Sequence, residues 1–368
     1  MARRRSDQQL SMVLPLPRPP HPVAPIAPWA QRLVAWFAQH GRRDLPWQGT
    51  RDAYRIWLSE IMLQQTQVKT VMPYFERFVA SFPDVAALAA APIDRVLEHW
   101  SGLGYYRRAH HLHDAAQSIM QKHGSVFPVD AATLETLPGI GRSTAAAIAA
   151  FASGEHAAIL DGNVKRVLAR HAGIAGYPGE SRVAAMLWDV AVARLPTRDI
   201  EAYTQSMMDL GATVCTRSRP RCDACPVAHD CVALHEDRIA ELPAPRPRKT
   251  LPSRATVVLL IERAGEFLFE RRPALGIWGG LWSFPEVAVD ADIAAAMRAR
   301  FGVDARMTGE LPALLHTFTH FALTIHPRRV AVEAWPALGE SPGFLWLTPI
   351  DARGAALPAP IRKIVAML

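Results

Sequence analysis

The chain has 368 residues, half of them apolar, with 41 basic against 34 acidic residues and a net charge of +7 at neutral pH. That length predicts about two domains with cores of their own, and the basic excess leans toward a polyanionic partner. No apolar run approaches the roughly 20 residues of a membrane span, and Arg3, Arg4 and Arg5 lead into prolines instead of an apolar stretch, so neither a membrane protein nor a secreted one is expected but a soluble cytoplasmic one.

Residues 1–28 carry seven prolines and read as a disordered tail. Helical periodicity starts at Trp29, with Leu33, Trp36 and Phe37 on the same stripe, and Arg42 to Trp47 form a connection. The next helix is predicted from Tyr54 to Val68. Ile56, Trp57, Ile61 and Met62 can face a core, while Glu60, Gln64 and Gln67 fall at i, i+4 and i+7 on a polar stripe. Trp57 and Leu63 flank Glu60 at i−3 and i+3, and no Lys or Arg lies between Ile56 and Val68. A carboxyl in that company is desolvated and its pKa raised, which suits a general acid near neutral pH.

Helices are predicted over Val71–Phe82, Val85–Ala90, Ile93–Gly102 and Arg108–His123. GLGYYRRA, from Gly102 to Ala109, interrupts them with glycines, tyrosines and arginines. That mixture suits backbone contact and base stacking, and equally a packed turn with buried tyrosines. His110, His111 and His113 lack the acidic or Cys company of a metal site and read as surface histidines.

Leu137 to Arg170 organises the chain. LPGIG reads as a tight hairpin between helices, with Gly139 and Gly141 expected at positive φ before an alanine-rich helix starting near Arg142. Outward-pointing N–H groups at such a helix start can hold a phosphate. Asp161 stands before the next helix, twenty residues after Gly141. Taken alone, these features also fit a Gly-rich turn and an N-cap aspartate. Helices over Val183–Arg194 and Ala202–Val214 lead into all four cysteines, Cys215, Cys222, Cys225 and Cys231, spaced C-x6-C-x2-C-x5-C. Four clustered thiolates can hold zinc or a [4Fe–4S] cluster; the single C-x2-C pair leaves iron–sulfur modestly ahead. Arg217, Arg219 and Arg221 fill the first loop.

Residues 240–254 read as a proline-rich basic linker. Beyond it TVVLLIE and EFLFERR read as strands about a turn at Arg263 to Gly265, HTFTHFALTIHPRRV and GFLWLT as further strands, and Asp292 to Phe301 as a helix. Residues 255–368 therefore form an α+β domain.

LPGIG with Asp161 and the cysteine spacing resemble the helix-hairpin-helix DNA glycosylases that carry an iron–sulfur cluster. WLSEIMLQQTQV, GLGYYRRA, GRSTAAA and LDGNVKRVLAR resemble the adenine-removing branch, as do WGGLWSFP and HTFTHF in the second domain. The resemblance spans Trp29 to Leu368. It implies a multi-domain chain. An all-α glycosylase region over 29–239 would join a six-helix subdomain, with its hairpin at 137–141, to a [4Fe–4S] subdomain held by Cys215, Cys222, Cys225 and Cys231. An α+β Nudix-like domain would follow. The implied partner is double-stranded DNA carrying A:8-oxoguanine or A:G mispairs, bound by a nucleoid-associated monomer of bacterial type with no membrane involved.

By the same resemblance, Glu60 would protonate the flipped adenine at N7, and Asp161 would stabilise the oxocarbenium-like sugar. A helix-start aspartate is expected to stay ionised while an apolar-flanked glutamate stays protonated. Asn163 and Ser143 would support them. Arg43, Trp47, Leu63 and Gln205 would surround the base, Gln65 and Tyr105 would wedge into the stack, and Gly139, Gly141 and Lys165 would meet phosphates. Phe318-Thr319-His320 stands where the family reads oxidised guanine with Phe-Ser-His. The stretch AVDADIAAAMRARFG lacks the paired glutamates of a Nudix metal helix, so no pyrophosphatase activity is expected. Ser143 replaces the lysine of the bifunctional endonuclease III branch, predicting an enzyme without lyase activity. The alternatives are that bifunctional branch, or a DNA-binding iron–sulfur protein without catalysis, which would leave Glu60 and Asp161 as accidents.

Overall fold

The fold is given by a computed structural model, which describes residues 26–247, 250–274, 276–332 and 343–368. The first part is helical: α1 (Ile26–His40), α2 (Ala53–Leu63), α3 (Val68–Ser81), α4 (Val85–Ala90), α5 (Ile93–Trp100), α6 (Arg107–Lys122), α7 (Ala131–Glu135), α8 (Arg142–Ser153), α9 (Gly162–His171), α10 (Ser181–Ala193), α11 (Ile200–Asp209) and α12 (Val232–His235). Aspartate side chains cap four of them. Asp52, Asp84, Asp130 and Asp161 each accept from backbone N–H groups of the turn that follows, satisfying donors that a helix start leaves without partners.

These helices build two cores. Leu58, Phe75, Phe78, Leu97, Trp100 and Leu112 belong to one; Leu33, Val164, Leu168, Leu187 and Met207 belong to the other. Helix α8 is the wall between them. Ala145, Ile148 and Ala149 face the first core, and Ala146, Ala147 and Ala150 face the second. Its alanines are therefore a packing requirement, because both sides of the helix lie against neighbours and larger side chains would force the cores apart. Glu60 on α2 and Asp161 at the start of α9 come from opposite sides of this wall. Among the described residues no helix is long and apolar enough to cross a membrane.

The second part is an eight-stranded sheet of β1 (Ser253–Arg263), β2 (Glu266–Arg271), β3 (Trp282–Ser283), β4 (Glu286–Val287), β5 (Ala305–Glu310), β6 (Leu314–Thr317), β7 (Ala322–Val332) and β8 (Phe344–Leu347), with α13 (Ile293–Phe301), α14 (Pro349–Ala352) and α15 (Ala359–Val365). Its main path is β3-β2-β1-β7-β5, with β1 and β7 parallel. Alternation along β1 serves two layers. Val257, Leu259 and Ile261 pack with Met297 and Phe301 of α13. Val258 and Leu260 point the other way, into an apolar cluster that continues into the first helical core.

The two parts thus share buried surface. A Cβ on Gly280 would lie 3.2 Å from Leu97 and 3.3 Å from His110. His110 Nε2 lies 3.1 Å from the Gly279 carbonyl, Tyr106 Oη donates to Leu357 at 3.4 Å, and Arg271 pairs with Asp94.

Several boundaries differ from expectation, for identifiable reasons. Helix α1 starts at Ile26, inside the stretch read as tail; residues 1–25 lie outside the described residues. Helix α2 stops at Leu63, so Gln64 and Gln67 do not continue a helical stripe: Gln64 is the C-cap and Gln67 the N-cap of α3. The carbonyls of Ile61, Met62 and Gln64 turn instead to Arg108, 44 residues past Gln64. Only Gly139 of the hairpin pair has positive φ, +78°; Gly141 is the extended N-cap of α8 at −97°. His113 is buried and bonded to the Ala91 carbonyl, not a surface residue. Strand β1 begins at Ser253, within the stretch read as linker, and residues 316–330 divide into two strands around a turn at 318–321.

Candidate active site

Between the two helical cores lies a cleft of about 1000 Å³. Arg43, Trp47, Glu60, Leu63, Asp161, Asn163 and Gln205 all line it, together with Gln48, Phe151 and Met208. Seven of the residues singled out from sequence are therefore brought together here. Gln65, Tyr105, Ser143 and Lys165 are not in its lining.

The two carboxyls sit in contrasting surroundings. Trp57, completely buried, backs the helix that carries Glu60. Burial first, and the Asp161 charge second, push the Glu60 carboxyl up to about 8. Asp161 accepts from Val164 N at 2.7 Å as the cap of α9. Burial raises its pKa too, against the pull of the Val164 and Asn163 backbone N–H groups and of Arg166 and Lys165. The cap thus does not hold Asp161 at an ordinary carboxylate value, because desolvation outweighs it. The surroundings of the two still differ. Two N–H groups and two cations favour charge on Asp161, and once that charge exists it opposes a second one on Glu60. The two carboxyls therefore titrate as one coupled pair, with the Asp161 charge adding to burial in raising Glu60.

Neighbours fix these groups. Ser143 Oγ accepts from Leu160 N at 2.8 Å, holding the residue before Asp161 instead of facing the cleft. Asn163 Oδ1 accepts from Arg166 Nη2 at 2.9 Å, and the same guanidinium donates to Gly211 O and Cys215 O, each at 2.7 Å. Gly211 sits in a single π-turn, Leu210–Val214, where a Cβ would come within 2.5 Å of Asn163 Cβ; only glycine lets the turn pack this closely. Gln205 Nε2 donates at 2.9 Å to Asp209, which is buried and also paired with Arg42 at 2.6 Å. Arg42, Arg166 and Asp209 have no counterpart in the sequence expectations: Asn163/Arg166 and Gln205/Asp209 are spaced i, i+3 and i, i+4, a local signal, whereas the Arg42–Asp209 pair and the Arg166 bonds to Gly211 and Cys215 join positions remote in sequence.

Arg166 leads directly to the cysteines. Cys215, Cys222, Cys225 and Cys231 all line one small cavity between α9 and the loops that carry them. Arg170 Nη1 approaches Cys215 Sγ at 3.4 Å, and Arg170 also holds Thr216 O and Arg217 O. Among the described residues no three His, Cys, Asp or Glu side chains are close enough to share one metal ion. Four thiols around one cavity, with a guanidinium against the first, fit a group held at four corners and carrying negative charge.

Gln65 and Tyr105 stand outside the cleft, both exposed, on the α2–α3 and α5–α6 connections. Both have left-handed backbone, φ +59° and +50°, which for residues other than glycine costs about 1–3 kcal/mol. Thr319 and His320 are exposed on the β6–β7 turn. Behind them Phe318 packs on His316 and Trp278, with centroids 4.5 and 5.2 Å away.

Residues 58–192 match the HhH-GPD superfamily of base excision DNA repair proteins, and residues 256–367 match the NUDIX domain. An adenine DNA glycosylase of Buchnera aphidicola is 33% identical over 92% of this chain and 96% of its own. The human adenine DNA glycosylase is 31% identical over 93% of this chain and 74% of its own. A thermostable thymine-DNA glycosylase of known structure is 26% identical with a TM-score of 0.52, covering 57% of this chain and 97% of that one.

Proposed function

The chain belongs to the adenine DNA glycosylases, and on that premise we propose that it excises adenine mispaired with 8-oxoguanine or guanine, using Glu60 and Asp161. The supporting observation is the cleft itself: Glu60 and Asp161, from opposite sides of α8, both line it, and the Glu60 proton is held up to about pH 8. Adenine flipped into the cleft receives the Glu60 proton at N7. The C1′–N9 bond then breaks, its electron pair leaving with the base, and the Asp161 carboxylate faces the cationic sugar. The Glu60 carboxylate takes a proton from the water that attacks C1′, which completes hydrolysis. Arg43, Trp47, Leu63 and Gln205 enclose the base, Asn163 and Ser143 steady Asp161, and Gln65 and Tyr105 fill the gap left in the stack. Gly139, Gly141 and Lys165 meet the backbone phosphates.

No covalent intermediate is expected. A lyase needs an unprotonated amine at C1′, and no lysine lies between Gly141 and Val164. Ser143, at the position of the bifunctional branch's lysine, is already bonded to Leu160 N. The test is a single turnover on duplexes with one A opposite 8-oxoguanine. Abasic sites should appear on alkali treatment, with neither nicking before it nor a borohydride-trapped complex. Trapping and nicking that keep pace with base release would restore the lyase reading, and no abasic sites at all would leave only a binding protein.

A [4Fe–4S] cluster would be held by Cys215, Cys222, Cys225 and Cys231. It would supply a rigid, thiolate-bound brace for the loop bearing Arg217, Arg219 and Arg221, and no step of base removal. Pure protein should be yellow-brown with about four irons per chain. One zinc and no iron on metal analysis would reject the cluster.

The second domain reads the base opposite adenine through Thr319 and His320. The supporting observation is an exposed hydroxyl beside an imidazole, at 3.4 Å, on an aromatic base of Phe318, His316 and Trp278. Thr319→Val keeps the shape and removes the hydroxyl, so the preference for 8-oxoguanine over guanine should fall several-fold, about 1 kcal/mol or more for a lost base-edge hydrogen bond. Removing the whole domain is a poorer test, because it uncovers the shared core at Leu97 and Trp100. Unchanged discrimination by Thr319→Val would place the reading elsewhere.

A further inference from the structure

The backbone at Gln65 and Tyr105 has a common support. The two residues are 40 apart in sequence, and neither is of a type that favours left-handed φ. Such a conformation persists only where the surroundings impose it. One buried side chain touches both connections. Arg108, 8% exposed, places Nη1 on the carbonyls of Ile61, Met62 and Gln64 at 2.9, 2.8 and 2.6 Å. Its Nη2 donates to Thr66 Oγ1 at 3.0 Å, Leu103 O at 3.5 Å and Gly104 O at 3.1 Å. The guanidinium therefore grips the residues on either side of Gln65 and the residue before Tyr105. It also lies 5.4 Å from the Tyr105 ring and 5.3 Å from that of Trp100.

We propose that Arg108 is the positioning residue of the wedge, holding Gln65 and Tyr105 together in the strained conformation that presents both side chains to the DNA stack. This rests on the reading of those two residues as the wedge. The chemistry requires arginine. The planar fork serves the end of α2 with one nitrogen and the GLGYY turn with the other. A lysine ammonium is a compact point charge with three tetrahedral donors and cannot span the two sets. Burial pulls the guanidinium down to about 10, which still leaves it charged at neutral pH, as bonding only to carbonyl and hydroxyl acceptors demands. Of the residues to which Arg108 bonds, Thr66 alone lines the cleft, so its effect on catalysis runs through base extrusion.

That route gives a signature separable from lost stability. In single-turnover excision, Arg108→Lys should act at least about tenfold more slowly than the parent on a well-stacked duplex. On a duplex whose adenine is flanked by mismatches, where unstacking is already cheap, it should come within about threefold. Tyr105→Ala and Gln65→Ala should show the same contrast. The Arg108→Lys/Tyr105→Ala double variant should be no slower than Tyr105→Ala alone within about twofold, as expected for two residues acting through one step. Equal loss on both duplexes, additive loss in the double variant, or no loss at all would overturn the role of Arg108. Absence of the contrast in Tyr105→Ala and Gln65→Ala would instead sink the wedge reading itself. If Arg108→Lys does not fold, Thr66→Val removes one acceptor and leaves the arginine, and the same comparison applies to it.

Discussion

Replacing Glu60 by glutamine should reduce adenine excision by about two to four orders of magnitude, the usual worth of a positioned general acid, while mismatched DNA remains bound. Glutamine keeps the shape and both heavy-atom positions but has no acidic proton to give N7. In the parent enzyme single-turnover excision should fall as pH rises past about 8, as Glu60 loses its proton. The Glu60→Gln variant should show no such limb. Excision by this variant within a few-fold of the parent would remove Glu60 from the chemistry.

The same carboxyl leaves a mark on stability. Below about pH 4.5 the native and unfolded chains both hold the proton, and Glu60 has no pH effect. Between there and about 8 the unfolded chain has lost it while the native chain retains it. The native state then binds more protons, so its stability declines as pH rises, by at most about 1.4 kcal/mol per pH unit. Above 8 the difference is constant. Glu60→Gln escapes this decline, so its advantage in denaturation midpoint over the parent should open between pH 5 and 8 and then level off. An acid held neutral in a cleft is thus a destabilising element kept for its proton.

Much of this site was legible in sequence because its signals are local. Asp161 before an amphipathic helix reads as a cap, and Glu60 between Trp57 and Leu63 reads as desolvated; both stand so in the fold. The α4 boundaries follow from Asp84 and the apolar spacing. What could not be read depends on distant partners. The end of α2 is set by Arg108 and not by any breaker within YRIWLSEIMLQQTQV, so a continuous helix was the natural expectation. The pull on Asp161 is likewise a balance: the cap is local, but the burial that outweighs it comes from α2 and α11 closing the cleft. The buried His113 gives no sequence sign, because its partner is a lone carbonyl at Ala91. Nor could β-strand register reveal that Val258 and Leu260 continue a core begun at Trp100, since that depends on how two separately patterned regions dock.

Asp161→Asn should be as damaging as the loss of Glu60, for a different reason, and the two variants should be distinguishable by pH. Asparagine is as good an N-cap as aspartate, so the bond to Val164 N survives and α9 should start where it does now. What disappears is one negative charge beside the sugar. At roughly 4 Å and an effective dielectric constant near 20, that charge is worth about 4 kcal/mol to a full cation, or about three orders of magnitude in rate. Removing a buried charge should also leave the fold no less stable, so lost activity could not be blamed on unfolding. The second consequence concerns Glu60. Burial alone would then hold its carboxyl up, without repulsion from Asp161, and its pKa should fall below 8 while staying above the ordinary glutamate value. Carboxyl NMR of the Glu60 side chain in the Asp161→Asn variant would read this directly, as would an earlier alkaline limb in the residual excision. A near-normal excision rate would deny Asp161 its place opposite the sugar. A limb that stays at 8 would show that Asp161 does not feel Glu60, and that the two carboxyls do not divide their protons as one pair.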